Sequence, residues 1–165
     1  MPMQNTGSDI VIRRLQLESP ELPLLARWRY DLFLKGMGLT LADSERQLRD
    51  IAVSPLPYEV ALFADVAGTP AGICMLVENE IEPLHRHSPW LASLIVDEPF
   101  RGRGLARILV KAIEVHAARH GIRDIHLYTD SAEGLYARCG WTVTDRFEDH
   151  GIPCVLMRRE IDASP

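Results

Sequence analysis

The sequence is poor in the features that mark secreted and membrane-embedded proteins. Its three cysteines, Cys74, Cys139 and Cys154, lie far apart and form no Cys-x-x-Cys pair, whereas small secreted scaffolds carry dense, even sets of cysteines. No apolar run approaches the roughly 18 residues of a membrane-spanning helix, and no apolar segment of a signal peptide follows the polar start. These absences predict a cytoplasmic protein with reduced thiols and no membrane partner.

Positive charge is also in short supply. The 165 residues carry 18 Lys and Arg against 23 Asp and Glu, a formal net charge of −5 with neutral histidines. Phosphate recognition along a polymer needs clustered cations, so this balance argues against nucleic acid as the main partner. A modest acidic excess suits a cationic small molecule, although it more often serves solubility alone.

What remains is the composition of a globular protein. With 47% hydrophobic and 25% charged residues, the chain is neither disordered nor collagen-like. Its length favours a single domain over residues 1–165, with an ordered core over about 9–161.

The periodicity of apolar residues predicts the order β-α-α-β-β-β-α-β-α-β-β. A helix between two strands is usually a parallel crossover, so residues 90–129 should hold a βαβ unit. The predicted strands are 9–13, 59–65, 70–77, 90–96, 125–129, 141–146 and 153–159, and the predicted helices are 20–35, 40–53, 104–120 and 132–138.

The clearest helix is 104–120. Its apolar side should contain Leu105, Ile108, Leu109, Ala112, Ile113 and His116, with Arg107, Lys111 and Glu114 facing outward.

A glycine-rich turn joins the strand at 90–96 to this helix. Gly102 and Gly104 let the backbone approach a ligand closely, and the following helix N-terminus offers unpaired N–H groups. Arg101, Arg103 and Arg107 add positive charge, so the turn is suited to a pyrophosphate. It lacks the third glycine of a dinucleotide fingerprint and the Gly-Lys-Ser/Thr of a P-loop. The alternative is a turn that only connects two elements.

Two segments resemble the GCN5-related N-acetyltransferases, the GNAT family. The first is similar to the acyl-CoA signature Arg/Gln-x-x-Gly-x-Gly/Ala and reads Arg101-Gly102-Arg103-Gly104-Leu105-Ala106. The second resembles the family's Tyr-x-x-x-Gly-aromatic segment and reads Tyr136-Ala137-Arg138-Cys139-Gly140-Trp141. The last strand also resembles the family pattern, so the likeness extends over roughly 9–161.

The resemblance implies an α/β (α+β) fold with a mixed, mostly antiparallel twisted sheet of about seven strands and about four helices. It also implies acetyl-CoA as co-substrate, with no metal. The pantetheine arm would lie between strands 90–96 and 125–129, beside the backbone of Leu94, Ile95 and Val96. The pyrophosphate would bind the turn and first helical turn: Arg101, Gly102, Arg103, Gly104, Leu105, Ala106 and Arg107.

Acetyl transfer to an amine needs a group that takes a proton and a group that gives one. An alkylamine, with a pKa of about 10.4, is mostly protonated at neutral pH. Tyr136 stands at the family's general-acid position. Glu80 is the leading candidate for the base or for attracting the amine, because Glu78, Glu80 and Glu82 share one face of an extended segment. Asp130, His85, His87 and an ordered water are alternatives.

The acceptor is expected to be a primary amine of a small molecule or peptide, and cationic. Helices 20–35 and 40–53 and the loop 78–89 should select it, with Trp28, Tyr30, Phe33 and Trp90 as aromatic candidates. The alternatives are a non-catalytic acyl-CoA-binding regulatory module and an acetyltransferase acting on a macromolecule. Dimers are common in families of this kind, so a homodimer is among the expectations.

One departure from the family pattern lies before Tyr136. An Asn that often contacts the cofactor there is replaced by the short segment 129–134, in which Asp130 or Ser131 is expected to cap the next helix.

Overall fold

A computed structural model describes residues 9–80 and 87–162 and confirms the predicted order of seven strands and four α-helices. No helix in these two ranges is long and apolar enough to cross a bilayer. The strands are β1 (Ile10–Arg14), β2 (Val60–Val66), β3 (Thr69–Val77), β4 (Trp90–Val96), β5 (Asp124–Thr129), β6 (Thr142–Asp149) and β7 (Ile152–Glu160). The helices are α1 (Leu22–Arg29), α2 (Leu41–Ala52), α3 (Leu105–Arg119) and α4 (Glu133–Arg138).

The strands form one seven-stranded sheet in the order β1-β2-β3-β4-β5-β7-β6. The pair β4 and β5 is parallel, whereas the other pairs in the described residues are antiparallel. The predicted βαβ unit is therefore confirmed, with α3 as its crossover. Each face of the sheet buries its own apolar cluster. Leu109 and Ile113 of α3 pack on one face with Tyr136, and Leu25 of α1 and Leu48 of α2 pack on the other.

A bulge in the middle of β4 changes which side chains face each cluster. Trp90 and Ala92 lie on the α1/α2 face of the sheet. Ile95 lies on the same face, although it is three residues after Ala92 and a regular strand would turn it to the opposite face. Pairing with β3 shifts register at this point, and Ser93 has a positive φ of 55°. An inserted residue of this kind bends the strand and re-aims its backbone groups.

The first predicted helix is shorter than expected. Regular α-helix ends at Arg29, and the chain continues as a π-helical turn over Tyr30–Leu34 and a 3-10 turn over Lys35–Met37. Ser19 does not cap α1, because its hydroxyl accepts a hydrogen bond from the Gln16 amide and closes a turn before the helix begins. The widened turn also leaves Leu32 56% exposed.

The predicted orientation of α3 is wrong at two positions. Glu114 is buried and not outward-facing, because Arg159 of β7 donates a hydrogen bond from its Nε to the Glu114 carboxylate at 2.9 Å. Arg159 also donates from Nη1 to the carbonyl of Gly140 at 3.0 Å. Ile108, predicted on the apolar side, is instead 37% exposed. A partner distant in sequence therefore sets the rotation of the helix.

Loss of this ion pair should destabilise the fold measurably. Arg159→Ala leaves the Glu114 carboxylate buried without a counter-ion, and we expect the free energy of unfolding to fall by about 2 to 4 kcal/mol in urea titrations. Arg158→Ala is the matched control, because Arg158 pairs with Asp124 and Glu160 at the surface and should cost only about 1 kcal/mol. Equal losses in the two variants would contradict this role for the buried pair.

Candidate active site

The glycine-rich turn and the start of α3 form a cradle for an anion. Gly102 and Gly104 both adopt left-handed conformations, with φ of 79° and 78°. Gly104 is the N-cap residue and no side chain caps the helix, so the first N–H groups of α3 remain available to a ligand. Arg103 and Arg107 line the adjoining cleft of about 550 Å³ together with Lys111. The positive charge and the free amides both fit a pyrophosphate.

The strands β4 and β5 pair at one point and then separate. Trp90 is in register with His126, and the amide of His126 donates to the carbonyl of Pro89 at 3.1 Å. Beyond this point the described residues contain no further pairing between the two strands. A gap between two parallel strands opens through the sheet, and its edges carry unpaired backbone groups.

The free edge of β4 is suited to an extended, amide-containing chain such as pantetheine. The amide of Asp97 donates to the carbonyl of Ala71 in β3 at 2.9 Å, and backbone groups of successive residues in a strand point to alternate sides. Val96 and Leu94 therefore turn their N–H and C=O groups toward the gap, whereas Ile95 pairs with Ile73 of β3. The Nε of Arg101 donates to the Val96 carbonyl at 3.1 Å, which anchors the turn to the strand end.

Tyr136 lies on the α3 face of the sheet. Its side chain is only 7% exposed, and its ring centroid is 6.1 Å from that of Trp141. Burial raises the pKa of its hydroxyl well above the usual range, so the group carries its proton at neutral pH. In residues 9–80 and 87–162 no group forms a hydrogen bond with this hydroxyl. Tyr136 is therefore a largely buried residue whose protonated hydroxyl bonds no group in the described part of the chain.

Glu80 follows the end of β3. The groups that interact with its charge, Arg29 and Tyr128, belong to the α1/α2 face of the sheet, opposite to that of Tyr136. The residue is exposed as a whole, yet the protein around its carboxyl penalises the charged form. This burial raises the pKa of Glu80 to about 7, and the positive charge of Arg29 opposes the shift. Burial raises the pKa of Tyr128, and the negative charge of Glu80 raises it further. Glu80 thus sits within electrostatic reach of both α1 and β5.

Three of the other candidates for the base lie in the described residues. The amide of Glu78 donates to Glu59 at 2.9 Å and the Glu78 side chain is exposed. The ring of His87 stacks on His126 with centroids 4.1 Å apart. Asp130 lines a separate cleft of about 430 Å³ beside Glu133, Arg146 and Cys154. Glu82 and His85 lie outside the described residues.

The segment before Tyr136 is capped differently from the prediction. The Thr129 hydroxyl accepts from the amides of Ser131 and Ala132 at 3.3 and 3.1 Å, and Ala132 is the N-cap residue of α4. Neither Asp130 nor Ser131 caps the helix, because the hydroxyl at the end of β5 reaches these amides first. Of the aromatic acceptor candidates, Trp90 is 1% exposed and belongs to the core.

Sequence analysis missed one residue near this site. Arg29 is 7% exposed and donates from Nε to the Ser93 hydroxyl at 3.0 Å and from Nη2 to Gln47 at 3.1 Å. A signal was present in the sequence, because Arg29 follows Leu22 and Leu25 at helical spacing on the apolar stripe of α1. A charged residue in such a stripe requires a partner or a function.

The chain belongs to the Acetyltransferase (GNAT) family. The family profile matches residues 25–141, which include the parted strands, the glycine-rich turn and Tyr136. The cradle and the free strand edge fit acetyl-CoA, the acetyl donor that membership in an acetyltransferase family implies.

Three proteins illustrate the similarity. A curated relative, the uncharacterized protein YyaT of Bacillus subtilis (strain 168), is 31% identical over 77 residues, which are 46% of this chain and 52% of the relative. The chain therefore matches about half the length of that protein. The structure of YncA, a putative acetyltransferase from Salmonella typhimurium with acetyl-CoA, aligns with a TM-score of 0.73 at 16% identity over 94% of this chain and 96% of YncA. A variant of spermidine N-acetyltransferase SpeG from Vibrio cholerae aligns with a TM-score of 0.69 at 15% identity over 93% and 94%. At these identities the two structures show the fold alone.

Proposed function

We propose that this chain is an N-acetyltransferase that moves the acetyl group of acetyl-CoA directly to a primary amine of a small molecule or peptide. The observation that carries the proposal is the gap between β4 and β5. Tyr136 packs on the α3 face of the sheet, and Glu80, whose pKa is raised to about 7, interacts with Arg29 and Tyr128 of the other face. A purely cofactor-binding module has no need of such a pair. The acidic group also suits an acceptor that arrives as a cation.

The chain's backbone supplies most of the binding. The amides of the turn and of the first residues of α3 bind the pyrophosphate, with Arg101, Arg103 and Arg107 adding charge. Leu94 and Val96 bind the arm through their backbone groups, as a neighbouring strand would. The acyl group then lies at the point where β4 and β5 part, so it is presented to both faces of the sheet.

The two ionisable side chains divide the proton transfers between them. Acetyl-CoA supplies an acetyl group activated as a thioester. The Glu80 carboxylate takes a proton from the ammonium group, which frees the lone pair of the nitrogen for attack. The carbon–nitrogen bond forms as the carbon–sulfur bond breaks, and the Tyr136 hydroxyl gives its proton to the departing sulfur. The acylated nitrogen then releases its second proton to solvent, which leaves the neutral amide. Both side chains return to their starting states by exchange with solvent.

Thiol release in the presence of acetyl-CoA and a panel of primary amines tests this function. We expect amine-dependent release of free thiol and an acetylated product by mass spectrometry. Acetyl-CoA alone should raise the melting temperature, because a ligand selective for the native state stabilises it. The absence of both turnover and stabilisation would contradict the proposal.

The activity should depend on the ionisation of Glu80. Because the carboxyl group must be ionised to accept a proton, kcat/KM should rise with pH through about 7 and then level off. In Glu80→Gln this rise of kcat/KM with pH should disappear, and kcat/KM at pH 8 should fall by about 100-fold or more. Glu78→Gln is the matched control and should keep the rise. If kcat/KM of Glu80→Gln still rises through pH 7, the base is another group.

A further inference from the structure

Arg29 is a buried charge that the proposed proton transfers do not use. Its two bonded partners, Ser93 and Gln47, are neutral, and no described carboxylate forms an ion pair with it. Burying a guanidinium without a counter-ion is costly. A fold that keeps this arrangement in its core therefore leaves the positive charge available to another group.

The tip of the Arg29 guanidinium still has hydrogen-bonding capacity. A guanidinium has five N–H donors in a planar fork, of which the Nε donor and one Nη2 donor are used. The Nη1 atom is buried and has no hydrogen-bond partner. Three N–H groups remain, two on Nη1 and one on Nη2, and neighbouring N–H groups of a guanidinium match the two oxygens of a carboxylate.

Glu80 does not act as the counter-ion of Arg29. Both residues lie in the described ranges, and no ion pair joins their side chains. The positive charge of Arg29 opposes the burial that raises the pKa of Glu80 to about 7, but does not outweigh it. The two groups are close enough to influence each other. The Arg29 guanidinium is therefore available to an anionic group, and the Glu80 carboxylate is available to a cationic group.

Both groups lie close to where the acyl group would be presented. Arg29 bonds Ser93, the residue of positive φ in the bulge of β4, and β4 parts from β5 within this part of the strand. Ser93 is partly exposed and Glu80 is exposed. A ligand that interacts with both Arg29 and Glu80 must carry a negative and a positive group.

We propose that the acceptor is an α-amino carboxylate, with its carboxylate on the free tip of Arg29 and its amino group beside Glu80. This inference rests on the proposed function and narrows its acceptor class. In an α-amino acid the amine and the carboxylate share one carbon, so a carboxylate bound next to the bulge delivers the nitrogen to the acyl group. A cation without an anionic group would meet the unpaired charge of Arg29, which disfavours it.

A comparison of amino acids with their carboxamides tests the proposal. The L-α-amino acids are assayed with acetyl-CoA for thiol release, each beside its carboxamide, which keeps the amine and removes the negative charge. We expect kcat/KM for the best amino acid to exceed that for its amide by about 10- to 100-fold. Equal values would overturn the inference and leave the N-acetyltransferase function standing.

Variants of Arg29 assign the preference to its guanidinium. In Arg29→Met the ratio between amino acid and amide should fall close to one, and in Arg29→Lys it should be intermediate, because the charge stays and the fork is lost. Ser93→Ala should keep the ratio, since it removes the Nε bond only. A general loss of structure lowers both rates and leaves the ratio unchanged, so an unchanged ratio in Arg29→Met, with acetyl-CoA binding retained, would overturn the inference.

Calorimetry separates this inference from the proposed function. The same amino acids are titrated into the complex with coenzyme A. If no amine is acetylated but an amino acid binds, and Arg29→Met abolishes that binding, the site is supported and the transferase function fails. If amino acids neither bind nor react, the inference is overturned.

Discussion

Replacement of Tyr136 by Phe should lower kcat by about 100- to 10,000-fold, the range that a general acid contributes, and should leave the affinity for acetyl-CoA unchanged. The ring of Tyr136 packs beside Trp141 in the core of the α3 face, so Phe preserves the packing and removes only the hydroxyl. That hydroxyl has no bonding partner in the described part of the chain, so its loss breaks no structural hydrogen bond. The expected effect is therefore on turnover, with little effect on stability.

Tyr58→Phe is the control for this prediction. Tyr58 also packs against the α3-face core, and its hydroxyl interacts with the Ser88 side chain. We expect its kcat to stay within about twofold of the wild type. Unchanged turnover in Tyr136→Phe would contradict the role of Tyr136. Acetyl-CoA binding without turnover in both the wild type and Tyr136→Phe would favour a non-catalytic acyl-CoA-binding module. Stopped-flow thiol release and calorimetry measure the two quantities separately.

Gly104→Glu should abolish detectable binding of acetyl-CoA. Gly104 caps α3 with a φ of 78° and has open space where a Cβ would stand. A side chain at this φ costs about 1 to 2 kcal/mol, which the fold should tolerate. The larger effect is electrostatic, because a carboxylate at the mouth of the cradle repels the pyrophosphate and blocks the amides of the helix.

Gly121→Glu supplies the matched control. Gly121 follows the opposite end of the same helix, has a φ of 73° and likewise has open space around the missing Cβ. The variant therefore has the same strain and the same added charge far from the cradle, and acetyl-CoA should still bind it. Equal affinities of the two variants for acetyl-CoA in calorimetry would show that the pyrophosphate binds elsewhere.

The sequence contained enough to predict the architecture, because local patterns determine most of it. Alternating and helical periodicities placed all seven strands and four α-helices in order. The glycines at 102 and 104 marked a turn that needs positive φ, and the structure has it. The start of α2 is likewise fixed locally, since Thr40 and Asp43 form a reciprocal capping box.

The features that sequence reasoning missed depend on contacts between distant residues. Arg159 follows Glu114 by 45 positions, and no local pattern indicates that the two side chains meet. The bond from Arg29 to Ser93 spans 64 positions. The β4 bulge also depends on a contact between distant residues. The sequence around Ser93 shows no break in its pattern, and the register shift appears only in the pairing of β4 with β3.

A crystal structure with bound coenzyme A tests the account most directly. We predict the pyrophosphate on the amides of residues 102–107, the pantetheine arm along Leu94 and Val96, and the sulfur at the point where β4 and β5 part. The Tyr136 hydroxyl should face the sulfur from one side of the sheet and the Glu80 carboxyl should lie on the other. A pyrophosphate bound away from the turn, or a sulfur beyond the reach of Tyr136, would contradict the account.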